Sequence, residues 1–138
     1  VQTSNHVAEK LSLKIKTDRR LIECNFGSWE GKATKDLSNE WKKREKNRYT
    51  YVYPGKFKGD KGESYKKIFP RVSSFIEDIL KKHKKSDIIL VVCHTGVILN
   101  IWKYFEKWGD EEISEKNVSN HIAYIVDTDK GTREEVPY

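Results

Sequence analysis

Long apolar runs are absent from this sequence of 138 residues, and so is a charged segment followed by an apolar stretch. A membrane-spanning helix and a secretory leader are therefore not expected. Cysteine is also scarce: Cys93 lies inside a short apolar run, where a free thiol behaves as a small hydrophobic residue, and Cys24 is the only other one. This cysteine usage predicts a reducing, cytoplasmic setting. The lack of a long apolar run predicts a protein without a membrane partner.

Charge of one sign is not concentrated in a single stripe, although the formal net charge is +6. The basic clusters fall in or beside predicted amphipathic helices and alternate with acidic residues; they are Lys42–Arg44, Lys66–Lys67, Lys81–Lys82 and Lys84–Lys85. Such a distribution is typical of solvated helix faces, whereas nucleic-acid-binding proteins concentrate their charge. Nucleic acid is therefore only the minor alternative, and a basic field also attracts small anionic substrates.

The length predicts a single domain over residues 1–138. Apolar residues at helical spacing predict four helices, over Val1–Leu11, Thr34–Lys46, Tyr65–Leu80 and Val97–Trp108. Within the third, Pro70 either kinks the helix or lies in its first regular turn. Apolar or alternating segments predict strands over Leu13–Thr17, Ile88–Val92 and His121–Asp127, and Arg48–Gly62 is expected to be a mobile excursion. Strands that alternate with helices indicate an α/β fold.

The most informative segment is Ile88–Gly96, in which five large aliphatic residues lead into Cys-His-Thr-Gly and a helical pattern follows. Its histidine, His94, lies between a buried strand and a helix, at the edge where open α/β sheets bind ligands. The helix start also offers free N–H groups that suit a phosphate. On this segment alone, an equally good interpretation is that His94 merely caps the helix.

Four segments agree, in order and spacing, with the motifs of one family. Leu21–Gly31 is similar to a Leu-x-Glu-x-x-Phe-Gly-x-Trp-Glu-Gly loop, and Val92–Gly96 to a segment that carries a catalytic histidine. Gly62–Ser64 with Arg71–Val72 matches a Gly-Glu-Ser helix, and Gln2–Ser4 the end of an Arg-Ala-x-Gln-Thr-Ala segment. On these motifs the chain resembles the histidine phosphatase superfamily, in its phosphoglycerate mutase-like branch, among small phosphatases such as α-ribazole phosphatase.

The resemblance implies a three-layer α-β-α fold with a mostly parallel central sheet. It also implies a phosphomonoesterase that hydrolyses a small phosphate ester through a phosphohistidine, with no metal and no other cofactor. By resemblance, His94 belongs to the phosphate pocket, and Glu23 protonates the leaving oxygen and then activates water. Backbone N–H groups of Thr95 and Gly96 complete the predicted phosphate site. Without the family, Glu23 would be interpreted as an exposed loop carboxylate.

One motif of the family is missing. The family's nucleophile is the histidine of an Arg-His-Gly strand, but no histidine of this chain follows an arginine; the four are His6, His83, His94 and His121. We expect sequence upstream of Val1, which would also explain the lack of methionine, whereas a natural pseudoenzyme needs a further coincidence. The sheet would then lack its first strand, and we expect upstream residues or another chain, such as a second copy, to fill the flank of Ile88–Val92.

Other interpretations use the same residues. Phosphoglycerate mutase-type phosphoryl transfer stays open, as does a binding module that holds phosphate but lacks the nucleophile. A nucleophilic pair of Cys93 and His94 is disfavoured, because neighbours on a strand point to opposite faces. A zinc site built from Cys24, Cys93, His83 and His94 lacks a recognised spacing. Leu99 stands where relatives often carry an arginine, which weakens any assignment of substrate contacts at that position.

Overall fold

The computed structural model describes residues 2–137, which form five α-helices and one two-stranded sheet. The helices are α1 (Gln2–Lys10), α2 (Ser38–Lys46), α3 (Tyr65–Lys82), α4 (Thr95–Glu106) and α5 (Asp110–Ser114), and the strands are β1 (Ile122–Asp127) and β2 (Thr132–Pro137). Single 3-10 turns occupy Arg19–Leu21, Gly27–Trp29 and Thr34–Leu37. Val1, with which the first predicted helix begins, lies outside the described residues.

Helices α3 and α4 pack against each other and supply much of the core. Helix α3 begins where the Ser64 side chain accepts a hydrogen bond from Lys67 N at 3.1 Å, which caps its first turn. Pro70 lies inside the helix, so the alternative in which the helix starts at Pro70 is wrong. None of the helices formed by residues 2–137 is long and apolar enough to cross a membrane.

The predicted strand Ile88–Val92, between α3 and α4, forms no ladder with any described segment. Its side chains nevertheless alternate as they do in a strand. Val91 and Cys93 pack on the core, whereas Ile88 and Leu90 are 100% and 59% exposed. A strand is defined by hydrogen bonds to a neighbour, and no segment within residues 2–137 supplies them. What fills this flank therefore stays a prediction.

The described residues form one sheet, an antiparallel pair of β1 and β2 in which Ile122 faces Pro137 and Asp127 faces Thr132. Strand β1 confirms the last predicted strand, and β2 was not predicted because its sequence is polar. The predicted strand Leu13–Thr17 is likewise not formed within residues 2–137, since it also lacks a hydrogen-bonded partner there. A mostly parallel central sheet is accordingly not seen within residues 2–137.

One guanidinium attaches the sheet to α4. Arg133 in β2 lies over the ring of Trp102 at 4.0 Å and forms an ion pair with Glu106 at 2.7 Å. The same Trp102 ring meets Tyr124 of β1 edge to face, with 4.8 Å between centroids. These contacts combine cation–π and aromatic packing, so the hairpin covers the outer part of α4 and leaves its first turn to the site described below.

The segment Arg48–Gly62 is packed in its first half, so the expectation of a mobile excursion is wrong there. Tyr49 and Tyr53 are 1% and 3% exposed and belong to the core. Tyr53 N donates to Glu63 O at 3.0 Å and Gly62 N donates to Tyr53 O at 2.9 Å, which folds the segment back on itself. Tyrosine rings take the place that aliphatic side chains usually hold in a core.

Candidate active site

His94 is the N-cap residue of α4, with an extended backbone at φ −106° and ψ 167°. Its carbonyl oxygen accepts the first helical hydrogen bond from Ile98 N at 2.9 Å. The imidazole itself makes no capping hydrogen bond, and the residue is exposed. His94 therefore caps α4 through its backbone and not through its side chain, and its ring is accessible at the start of the helix.

Glu23 reaches the same helix start from a loop far away in the sequence. Its Oε2 accepts a hydrogen bond from Gly96 N at 3.1 Å, and its Oε1 accepts one from Cys24 N at 2.8 Å. The carboxylate is partly buried, so Glu23 is not an exposed loop acid. The structure thus brings Glu23 to Gly96, and Gly96 lies in the same helical turn as His94 and Thr95. A carboxylate is stabilised at this place because the N-terminus of a helix carries a partial positive charge.

The loop that carries Glu23 is held by two charged residues of the Gly-Glu-Ser motif region. Arg71 donates to Glu23 O at 3.4 Å and also to Arg20 O. Glu63 lies 3.7 Å from the Arg71 guanidinium and accepts from Asn25 N at 3.0 Å, while its own N–H donates to Asn25 O at 2.8 Å. The motif therefore fixes the backbone on both sides of Glu23, a role that spacing alone does not reveal.

Arg44 in α2 is a buried cation, 5% exposed, that sequence reasoning missed. It donates to the hydroxyl oxygens of Tyr53 at 3.1 Å and Tyr65 at 3.2 Å, and it also pairs with Glu45. Burial alone would lower the pKa of the guanidinium, but the oxygens of Tyr53, Tyr65 and Glu45 raise it, so Arg44 stays charged. Arg44 thereby ties the Tyr53 segment to the first turn of α3.

Asn100 in α4 is a second residue that sequence reasoning missed, and it is fully buried. Its Nδ2 donates to Gly96 O at 2.7 Å and to Tyr65 O at 3.0 Å, while its Oδ1 accepts from the Tyr49 hydroxyl at 3.1 Å. One amide therefore joins the first turns of α3 and α4 to the Tyr49 segment. An asparagine amid apolar helical residues was the available clue, because a buried amide requires partners.

The two cysteines are inert in this arrangement. Burial is the main cause that raises the pKa of each thiol, Cys24 and Cys93, to about 12; smaller contributions come from the charges of Glu63 and Glu23 for Cys24, and of Glu23 for Cys93. A thiol with so high a pKa has almost no nucleophilic thiolate at neutral pH. No group of three or more metal-ligating side chains lies together among residues 2–137.

A model of the histidine phosphatase superfamily (branch 1) matches residues 1–137. The chain belongs to this superfamily. Phosphoserine phosphatase 1 of Hydrogenobacter thermophilus is 29% identical to it over 93 residues, or 67% of this chain and 43% of that protein. Phosphoglycerate mutase-like protein 4 of Arabidopsis thaliana is 29% identical over 136 residues, or 95% of this chain and 56% of that protein. The chain thus spans about half the length of these two relatives.

The fold of this histidine phosphatase chain is also found in a solved structure. A mycobacterial glucosyl-3-phosphoglycerate phosphatase, in complex with inorganic phosphate, matches it with a TM-score of 0.73 at 15% identity. The match covers 99% of this chain and 70% of the other. This structural match confirms the predicted α/β class. The predicted three-layer parallel sheet is not shown by residues 2–137.

The Asn100 amide generates a prediction about stability. Asn100→Leu keeps the branching and the number of side-chain heavy atoms but leaves the Tyr65 carbonyl and the Tyr49 hydroxyl without that partner, so we expect a loss of about 2–4 kcal/mol in the free energy of unfolding. Tyr49→Phe, the matched control, removes a single hydrogen bond and should cost about 1 kcal/mol. Urea unfolding of each variant measures both losses. Equal stability of Asn100→Leu and the wild type would contradict this account of the network.

Proposed function

We propose that this chain is the C-terminal portion, and a single domain, of a phosphomonoesterase that hydrolyses a small phosphate ester without a metal. The observation that carries the proposal is the meeting of Glu23 with the first turn of α4, where Gly96 N lies 3.1 Å from the carboxylate and His94 precedes the helix. Two groups with the chemistry of phosphoryl transfer thus share one helix start. Membership of the histidine phosphatase superfamily supports the same reaction class.

In the proposed reaction, a histidine from sequence outside the 138 residues attacks phosphorus. Its P–N bond forms as the P–O bond to the leaving alcohol breaks, and Glu23 gives its proton to the departing oxygen. Glu23 then removes a proton from water, which attacks phosphorus and releases phosphate and the free histidine. His94 donates a hydrogen bond to a phosphoryl oxygen, where negative charge is redistributed.

Of the two backbone donors predicted for the phosphate site, Thr95 and Gly96, we retain Thr95. Thr95 is the first residue of α4 and is partly buried. Within residues 2–137 the structure records no protein acceptor for its N–H, so Thr95 suits a phosphoryl oxygen. Gly96 N–H is already donated to Glu23, and a phosphoryl oxygen would compete with that carboxylate for it.

The nucleophile is proposed to arrive on a strand that pairs with Ile88–Val92. The alternation of that segment, with Val91 packed on the core and Leu90 59% exposed, supports a strand that receives a neighbour there. Pairing would place the nucleophile at the carboxyl end of the sheet, next to His94. It would also complete the three-layer, mostly parallel architecture that the resemblance implies.

The test compares two proteins: the 138-residue chain and the same chain preceded by a family-type Arg-His-Gly segment. We expect hydrolysis of p-nitrophenyl phosphate by the longer protein only, because only it contains the nucleophile. Phosphate binding without hydrolysis in the longer protein would favour the non-catalytic module. Phosphate transfer to a second phosphoglycerate position, faster than hydrolysis, would favour the mutase.

In the active protein, His94→Ala and Glu23→Gln should each lower turnover by at least about 100-fold, the usual scale for a positioned acid–base or charge-stabilising group. Glutamine keeps one oxygen acceptor and replaces the other with an NH2 group, so the second variant removes the proton function together with one of the two backbone hydrogen bonds to this side chain. Matched controls are His83→Ala and Glu30→Gln, whose side chains are exposed and pair with Asp87 and Lys56. Wild-type turnover in a folded His94 or Glu23 variant would remove that residue from the mechanism.

Metal independence gives a separate prediction. Overnight dialysis against EDTA should leave the rate of p-nitrophenyl phosphate hydrolysis unchanged, because His94 and the nucleophile carry out the proposed chemistry without a Lewis acid. The measurement is the initial rate before dialysis, after dialysis, and after Mg²⁺, Mn²⁺ or Zn²⁺ is added back. A rate that falls to background and returns with one of these ions would place the protein in another class of phosphatase.

A further inference from the structure

We infer that Gly96 is a positioning residue, whose backbone N–H holds the Glu23 carboxylate and whose missing side chain provides the space for it. This inference rests on the proposed function of Glu23 as the acid–base group. It assigns Gly96 N–H to the protein's own carboxylate and not to the phosphate of the substrate. Three features of Gly96 support this role: its hydrogen bond to Glu23, the lack of room for a side chain, and the hydrogen bond that holds its carbonyl oxygen.

The hydrogen bonds define one position for the carboxylate. Gly96 N donates to Oε2 of Glu23 at 3.1 Å and Cys24 N donates to Oε1 at 2.8 Å, so each oxygen has its own backbone donor. Two donors on two oxygens fix the rotation of the carboxylate as well as its place. Since residues 23 and 96 are 73 positions apart, this bond also sets the distance between the loop and the helix that follows His94.

The side chains of Glu23 and Tyr65 occupy the space that a side chain at position 96 would need. A Cβ built on Gly96 would overlap Oε1 of Glu23 and would lie 2.7 Å from Cε1 of Tyr65, both closer than van der Waals contact allows. Gly96 has an ordinary helical backbone, because it is absent from the residues with positive φ. Alanine has the higher helix propensity at such a position. Glycine is therefore required here for room and not for backbone conformation.

The carbonyl oxygen of Gly96 is also held by a buried side chain. Asn100, fully buried, donates from Nδ2 to Gly96 O at 2.7 Å and to Tyr65 O at 3.0 Å. The carbonyl of Gly96 is thus held on one side while the N–H points at Glu23 on the other. Since both the N–H and the carbonyl oxygen of Gly96 are held, a methyl group on its Cα requires the Glu23 carboxylate or the Tyr65 ring to move.

A double-mutant cycle in the catalytically complete protein tests the inference, with p-nitrophenyl phosphate as the probe. Gly96→Ala should lower kcat by at least about 100-fold with KM little changed, because the acid–base group is displaced. In a Glu23→Ala background the same substitution should change kcat by less than about twofold. Gly109→Ala, the control at the start of α5, should leave kcat unchanged.

Equal losses from Gly96→Ala in both backgrounds would overturn the inference, because Gly96 would then act through Tyr65 or the fold. Full activity of Gly96→Ala would overturn it as well. Should that variant not fold, the Gly96 amide proton provides an independent measurement. It should shift upfield in Glu23→Gln relative to wild type, as a charged acceptor becomes neutral, and an unmoved resonance would overturn the inference. This measurement needs no turnover, so it still decides if the wild type hydrolyses no ester and the proposed function fails.

Discussion

The hydrogen bond between Gly96 N and the Glu23 carboxylate is the contact on which the arrangement of the site depends. An anion at a helix N-terminus interacts favourably with the unpaired N–H groups, by roughly 1 kcal/mol at a partly exposed position. That energy is small, so the loop needs further support. Arg71 and Glu63 supply it by holding the backbone on both sides of Glu23, which makes one carboxylate the meeting point of the loop, α3 and α4.

The core beneath this contact is unusually dependent on phenol and amide groups. Tyr49 and Tyr53 are buried where aliphatic side chains would be expected, and their hydroxyl groups reach Asn100 and Arg44. Each buried polar group in this set has a partner, and a satisfied network of this kind specifies one packing in a way that apolar contacts do not. A substitution that leaves one of these groups unpaired is expected to lower the free energy of unfolding, because the remaining buried group has lost water without gaining a hydrogen bond.

Sequence reasoning found the elements whose signal is local. The helical stripe of α3 and the Ser64 cap were readable, as was the place of His94 between an apolar run and α4. The roles of Tyr49 and Asn100 could not be predicted. Asn100 lies 51 positions from Tyr49 and 35 from Tyr65, and no spacing rule connects residues so far apart. The segment Ile88–Val92 shows the opposite limit: its apolar run predicted a buried strand, but a strand also needs a neighbour, which residues 2–137 do not provide, and Ile88 and Leu90 are exposed.

The charges around the site bear on what a phosphate would meet there. Leu99, where the resemblance implied that an arginine could be expected, is 1% exposed and part of the core, so packing accounts for an apolar residue at this position. The two arginines that the structure ties to this region are already engaged, Arg44 by tyrosine hydroxyl groups and Arg71 by Glu63 and two carbonyl oxygens. A dianionic phosphoryl group needs cationic partners that are free to turn toward it. His94 alone does not meet that need, so residues 2–137 do not complete the proposed phosphate site by themselves.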